Sequence, residues 1–124
     1  MAVASARDAA ELLAPLFADL DGERLAVLHL DGGRRVIAVD SHAVTGRDTI
    51  LLPMREIFRA ALNHDAMGLI LAHNHPSGDP APSKADIAAT HKFAETAHNL
   101  GITLHDHLIF AGGESRSFRE LGLL

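Results

Sequence analysis

The amino-acid sequence predicts a single domain of the α/β class, and three observations support this. The chain has 124 residues, which is the size of one domain and too short for two. Its hydrophobic content of 48% is sufficient for a core without covalent staples. Beyond residue 50, segments with strand character alternate with segments of helical periodicity. The sequence therefore predicts helices packed on a sheet.

The first part of the chain predicts a helix, a hairpin and a short strand. Apolar residues recur every three or four positions in the helical segment. The turn Asp31-Gly32-Gly33 lies between two apolar runs, which is typical of a β-hairpin. These patterns assign a helix to residues 6–20, strands to 24–30 and 35–39, and a further strand to 49–52.

The second part alternates more regularly. Pro53 is suited to the first turn of a helix. The uninterrupted apolar run 67–72 predicts a strand that is buried on both faces. Three prolines and a glycine make residues 76–82 a loop, and Gly101 ends the helix that follows. The predicted elements are a helix at 53–63, a strand at 67–72, a helix at 83–100 and a strand at 102–110.

Composition excludes several classes of protein. The absence of cysteine excludes a disulfide scaffold, a thiolate zinc finger, an iron–sulfur protein and a cysteine nucleophile. A net charge of −5 argues against direct nucleic-acid binding as the main task. The sequence contains no apolar run long enough to span a bilayer and no recognisable secretion signal, so we expect a cytoplasmic protein without membrane contact. Nine histidines make a metal or acid–base site the leading expectation.

The segment 73–86 contains the candidate metal-binding and catalytic residues. His73 and His75 follow the buried strand two residues apart, so strand periodicity places both imidazoles on one face. Ser83 is a suitable N-cap for the next helix, and Asp86 stands three residues later, where a capping pair is the ordinary interpretation. However, Asp86 lies in the helical stripe that is predicted to be buried, and a buried carboxylate needs a partner. A metal ion held by His73 and His75 satisfies this requirement.

Two histidines and one aspartate leave the fourth position of a tetrahedral zinc ion open, as in catalytic zinc sites. Such an ion lowers the pKa of its water toward about 7. Hydrolysis then needs a carboxylate to move the proton and a donor for the developing oxyanion, a role that suits Ser83. The sequence thus predicts one Zn²⁺ per chain, with the carboxylate supplied from elsewhere.

His73-x-His75-Pro76 followed by Ser83-x-x-Asp86 resembles the JAMM (MPN-plus) metalloprotease motif. The full wording at 73–86 is similar to the bacterial RadC branch, and the similarity extends over about residues 20–124. This resemblance implies a JAMM/MPN domain over residues 1–124, with an N-terminal helix at 1–20 and a catalytic core at 23–124. It also implies a mixed sheet sandwiched by helices, a cytidine-deaminase-like architecture.

The resemblance further implies a hydrolase that cleaves peptide or isopeptide bonds with a zinc-bound water. The family's acid–base glutamate matches Glu23, before the first core strand, whereas the competing Glu56 is already suited to the dipole of its helix. We expect a peptide or protein substrate, and pairing of an extended peptide with an exposed strand edge is a plausible mode. Two rival hypotheses are a DNA-repair or recombination accessory protein and a non-catalytic MPN scaffold.

The other histidines are expected to have structural or surface roles. His91, Glu95 and His98 share a helix face that is best explained as solvated. His107 matches a family feature and is expected to be structural or to line the site with its ring hydrogen-bonded. For His105 we expect no metal role because no downstream helix supplies a further ligand. The remaining three are expected to be ordinary, with His29 in a strand, His42 in a loop and His64 near a helix end.

Overall fold

A computed structural model describes residues 1–18, 22–44 and 52–124. The helices are α1 (Ala6–Leu13), α2 (Met54–Asn63) and α3 (Lys84–Asn99), and a short 3₁₀ helix (Ala14–Leu16) continues α1. The strands are β1 (Arg24–Leu30), β2 (Val36–Ala43), β3 (Gly68–Asn74), β4 (Thr103–Ala111) and β5 (Glu114–Ser117). They form one mixed sheet in the order β2-β1-β3-β4-β5. None of the helices in the described segments is both long and apolar enough to cross a membrane.

Helices cover both faces of the sheet. On one face, α2 and α3 bury Ile57, Ala61 and Phe93 against the alternate apolar residues of β1 and β3. On the other face, Ala9 and Leu13 of α1 pack against the intervening residues of the same strands. β3 lies in the middle and all seven of its residues are buried, as the uninterrupted apolar run predicts. The expected α/β class, with a mixed sheet sandwiched by helices, is confirmed.

Pairing around β3 determines which residues meet at its end. β1 runs antiparallel to β3, with Leu25 opposite His73, and β4 runs parallel to β3, with Ile109 opposite His73. The β3–β4 ladder contains one irregularity, because Leu69 pairs with Leu104 whereas Ile70 pairs with Asp106. β4 therefore has one extra residue, His105, and beyond it the alternation of faces is reversed. As a result, His107 faces the same side of the sheet as His73.

Gly68 is explained by the same bulge. A side chain at this position would clash with the ring of His105, since a Cβ would lie only 2.4 Å from its Nε2 atom. A larger residue here would require that half-buried imidazole to move away from the start of β3.

Two predicted elements need correction, and one strand was not predicted. The first α-helix ends at Leu13 instead of reaching residue 20, because Pro15 lacks the N–H that would continue it, and the chain tightens into a 3₁₀ turn. β2 extends to Ala43 instead of ending at residue 39, so His42 is in a strand and not in a loop. β5 was not predicted, because its four residues Glu-Ser-Arg-Ser carry no apolar signal. The predicted strand at 49–52 falls, except for Leu52, outside the described residues.

Candidate metal centre

His73 and His75 lie where β3 ends on the α3 side of the sheet. Their Nε2 atoms are 3.1 Å apart, and the rings are inclined at 63°. His73 is buried, whereas the His75 side chain retains 20% of its exposure. The backbone N–H of His75 donates to the carbonyl of Phe110 in β4 at 2.9 Å, which holds the strand end in register. The two imidazoles therefore converge, as the two-residue spacing predicts.

Asp86 enters the same cluster from the first turn of α3. Its Oδ2 lies 3.1 Å from His75 Nε2, and its Oδ1 lies 3.7 Å from His73 Nε2. The side chain is only 2% exposed. The capping pair is also present. Ser83 Oγ accepts the Asp86 N–H at 3.0 Å, and Asp86 Oδ2 accepts the Ser83 N–H at 2.9 Å. One carboxylate thus completes a capping box and faces both histidines.

A chain of hydrogen bonds assigns the protons of the buried histidines. The Thr90 hydroxyl has a single hydrogen, which it donates to the Asp86 carbonyl at 2.7 Å. Thr90 must therefore accept the bond from His107 Nδ1, also 2.7 Å away, so this nitrogen carries a proton. His107 Nε2 is then the acceptor for His73 Nδ1–H at 2.7 Å. It follows that His73 presents an unprotonated Nε2 to the cluster.

Burial keeps both rings neutral. Burial is the main cause that lowers the pKa of His73 from 6.5 to about 4, and the nearby Asp86 carboxylate only partly opposes it. Burial also holds the pKa of His107 well below its ordinary value, with smaller contributions from the neighbouring His73 and His75. Stacking on Phe118, with ring centroids 4.6 Å apart, fixes the plane of the His107 ring.

The geometry of the cluster fits a metal ion. His75 Nδ1 must donate to the Asp79 carbonyl 2.8 Å away, so in the neutral ring Nε2 bears a lone pair. With both rings in the neutral form that binds metals, two nitrogen lone pairs and a carboxylate oxygen face one another, and a cation relieves their repulsion. Atoms bound tetrahedrally to zinc at 2.0–2.1 Å lie roughly 3.3–3.4 Å apart. The separation of 3.1 Å between the two Nε2 atoms is close to this value, and the two carboxylate oxygens of Asp86 lie 3.1 Å from His75 Nε2 and 3.7 Å from His73 Nε2.

Asn74, a residue that the sequence analysis did not single out, attaches the segment around Glu23 to the end of β3. Asn74 Oδ1 accepts the Arg24 N–H at 2.7 Å, and its Nδ2 donates to the Gly22 carbonyl at 2.8 Å. Glu23 lies between these two bonds and is half-buried. If the register of Leu25 with His73 is continued by two residues, Glu23 lies beside His75. The sequence did contain a clue to Asn74, because this residue stands between the two predicted histidine ligands at the end of a strand.

Ser83 and Glu56 differ in their relation to the cluster. Ser83 accepts the N–H of Asp86, so it lies directly beside the carboxylate, and that bond does not use the hydroxyl hydrogen. Glu56 is exposed in the first turn of α2, where a negative charge suits the helix dipole. The structure therefore positions Ser83 close to the predicted ligands and gives Glu56 a sufficient structural role.

The remaining histidines behave in three ways. His91 and His98 are exposed on α3, consistent with a solvated face, and His91 donates to the Leu123 carbonyl at 2.7 Å. His107 contacts His73, so its expected place beside the site agrees with the structure. His29 and His64, expected to be ordinary, instead lie together with Asp40 in a second group of metal-ligating side chains.

A cleft of about 760 Å³ opens beside His75. Its walls come from the 3₁₀ helix and Phe17 on one side, the loop after β3 on a second, and the turn between β4 and β5 on the third. Phe17 stacks on Phe110 with ring centroids 4.7 Å apart, which fixes the first wall against the sheet. The cleft is lined by His75 but by none of His73, Ser83 and Asp86, so His75 is the member of the cluster that it borders.

Comparison with known proteins identifies similar sequences. Residues 3–123 match the family described as "RadC-like JAB domain". A UPF0758 protein of Rhodobacter capsulatus is 47% identical over 82% of this chain and 48% of its own length. UPF0758 proteins of Methanococcoides burtonii and Salinibacter ruber are each 38% identical, over 98% and 100% of this chain and 53% of their own lengths. The chain thus spans about half the length of these relatives.

Proposed function

Because the chain belongs to the RadC-like JAB domain family, we propose that it is a zinc-dependent hydrolase that cleaves a peptide or isopeptide bond. One observation carries the proposal: the hydrogen bonds from Thr90 through His107 leave His73 Nε2 unprotonated, facing His75 and Asp86. Such a cluster of neutral imidazoles and one carboxylate is the donor set of a catalytic zinc site.

When bound, zinc supplies Lewis acidity and a source of hydroxide at neutral pH. The residues of the chain supply the remaining steps. Glu23, whose two neighbours in the chain are bonded to Asn74, is assigned the transfer of a proton from the attacking water to the leaving amine. Ser83 directs its hydroxyl hydrogen to the oxygen of the tetrahedral intermediate. His107 and Thr90 maintain the proton arrangement of His73 throughout.

For the substrate we propose an extended peptide that lies in the cleft beside His75. Glycines at positions 112 and 113 form the wall next to β5 and have positive φ angles of 57° and 80°, so the turn has no side chains there. β5 is the outer strand of the sheet, and its outward-facing backbone groups suit pairing with a further strand.

The test combines metal binding with activity. Zinc-loaded wild-type protein is incubated with a library of proteome-derived peptides, and mass spectrometry counts newly formed termini. We expect new termini with wild type and at least a 100-fold lower rate with Glu23→Gln, while zinc content stays at wild-type level, because general acid–base catalysis contributes about 10²–10⁴-fold.

Glu56→Gln is the matched control and should retain activity. If Glu23→Gln is as active as wild type, the acid–base assignment is wrong. If zinc-loaded wild type yields no new termini, the hydrolase proposal fails and a metal-binding scaffold remains.

A further inference from the structure

A second group of ligating side chains lies at the other end of β1. His29 of β1 is fully buried, and its Nε2 atom is 2.8 Å from Asp40 Oδ2 of β2. His64, the C-cap of α2, places its own Nε2 3.9 Å from the same oxygen. One ligand atom from each of the three residues lies within 4.8 Å of the others. Two imidazoles and a carboxylate from three different elements therefore converge.

The surroundings of His29 favour its neutral imidazole, which is the metal-binding form. Burial lowers the pKa of His29, against the opposing attraction of Asp40. The His29 Nδ1 atom has no hydrogen-bond partner among the described residues, so nothing fixes it as an acceptor. Without an ion, His29 Nε2–H donates to the Asp40 carboxylate at 2.8 Å. When an ion takes the place of that proton, the ring can carry its proton on Nδ1, where no hydrogen bond is lost.

The group is accessible to an ion from outside. The side chains of Asp40 and His64 are 29% and 34% exposed, and His29 forms the floor of the site. The His29 and His64 rings are 4.8 Å apart between centroids and tilted by 55°. His64 follows the last turn of α2, and Asp65 adopts a positive φ of 54° directly afterwards. A small rotation of the half-exposed His64 side chain shortens the distance between its Nε2 atom and Asp40 Oδ2, which is now 3.9 Å.

The second group is separate from the first. His29 is four residues along β1 from Leu25, the residue opposite His73. At the rise of an extended strand, this corresponds to roughly 13 Å. The two groups share no residue, so each is able to hold its own ion.

We propose that His29, Asp40 and His64 form a second site for a late first-row divalent transition-metal ion, with zinc as the representative. Imidazole and carboxylate ligands are those that such ions prefer, and a donor set without cysteine and with only one carboxylate suits neither soft Cu(I) nor Ca²⁺. The ion links the end of α2 to the β1–β2 hairpin. It binds more weakly than an ion at His73, His75 and Asp86, because the ligand atoms are farther apart before binding.

The experiment measures zinc stoichiometry by equilibrium dialysis of the full chain in zinc buffers, followed by elemental analysis. We expect two zinc ions per wild-type chain, with the weaker one absent from His64→Ala. His98→Ala is the matched control, because His98 is also at the C-terminal end of a helix and is exposed, and it should bind two. His75→Ala removes the first site and should retain one ion.

Thermal unfolding gives an independent measurement. Zinc should raise the Tm of His75→Ala by several degrees and leave that of the double variant His75→Ala/His64→Ala unchanged. Asp40→Asn, which preserves shape, should weaken the second ion at least tenfold. The proposal is overturned if wild type binds only one ion, or if a second ion persists in both His64→Ala and Asp40→Asn. Neither result affects zinc binding that depends on His75, so the proposed hydrolase site is judged separately.

Discussion

Replacing Thr90 by valine tests the hydrogen-bond chain behind the metal centre. The substitution preserves the shape of the side chain but removes the hydroxyl that donates to the Asp86 carbonyl and accepts from His107. His107 Nδ1 then has a buried proton without its acceptor, which costs about 1–3 kcal/mol of folding stability. The proton can also move to Nε2, and His73 would then lose its acceptor. Loss of such an outer partner typically lowers metal affinity by about 10–100-fold.

The assay is competition for zinc with a chromophoric chelator at pH 7, with urea unfolding of the metal-free protein as the stability measurement. Thr96→Val is the matched control, because Thr96 donates the same type of bond, to the Lys92 carbonyl of the same helix at 3.0 Å, without a histidine partner. Thr90→Ser retains the hydroxyl and should bind zinc within a few-fold of wild type. If Thr90→Val binds zinc as tightly as Thr96→Val, the argument that this chain sets the protonation of His73 is refuted.

Two further predictions concern the capping box and pH. Ser83→Ala should lower the free energy of unfolding by about 0.5–2 kcal/mol through loss of the cap, and it should lower turnover of the cleaved peptide by about 10²–10³-fold. The control Ser5→Ala, which removes the cap of α1, should lower only the free energy of unfolding. If turnover of Ser83→Ala is unchanged, Ser83 serves only as a cap. In metal-free protein, the lowered pKa values of His73 and His107 mean that the unfolded chain takes up protons first as pH falls below 6.5. Stability should be full above that pH and should decrease as pH falls toward about 4, the pKa of His73, with a limiting slope of about 1.4 kcal/mol per pH unit for that residue and a further decrease in the same direction from His107. His107→Gln should flatten the profile in urea titrations, and an equally steep profile would contradict the assignment.

Much of the fold was predictable because buried positions are occupied by apolar residues, which recur at the spacing of a helix or a strand. The seven residues of β3 are buried on both faces and read as an unbroken apolar run, and α3 buries a stripe at helical spacing. β2 was underestimated because it is the outer strand on its side of the sheet: Ile37 and Val39 are exposed, while Asp40 faces the protein. A polar residue at an inward-facing position breaks the alternation of apolar and polar residues, so this pattern does not reveal the strand.

The candidate site was predictable to the extent that its residues are close in sequence. His73 and His75 share a strand end and Asp86 opens the next helix, so local geometry brings them together. The contribution of Asn74 and the contact of His29 with Asp40 depend on strand pairing, which no local pattern encodes. The order of proton donors from Thr90 to His73 requires the packing of α3 on β4 and was equally inaccessible.

The extra residue in β4 has a consequence for comparing or engineering related chains. Because His105 is the extra residue of the bulge, a chain without it would pair regularly while Leu104, Asp106 and His107 keep their present sides of the sheet. Strand alternation counted from Leu104 without allowing for this extra residue would place Asp106, and not His107, on the side of the metal centre.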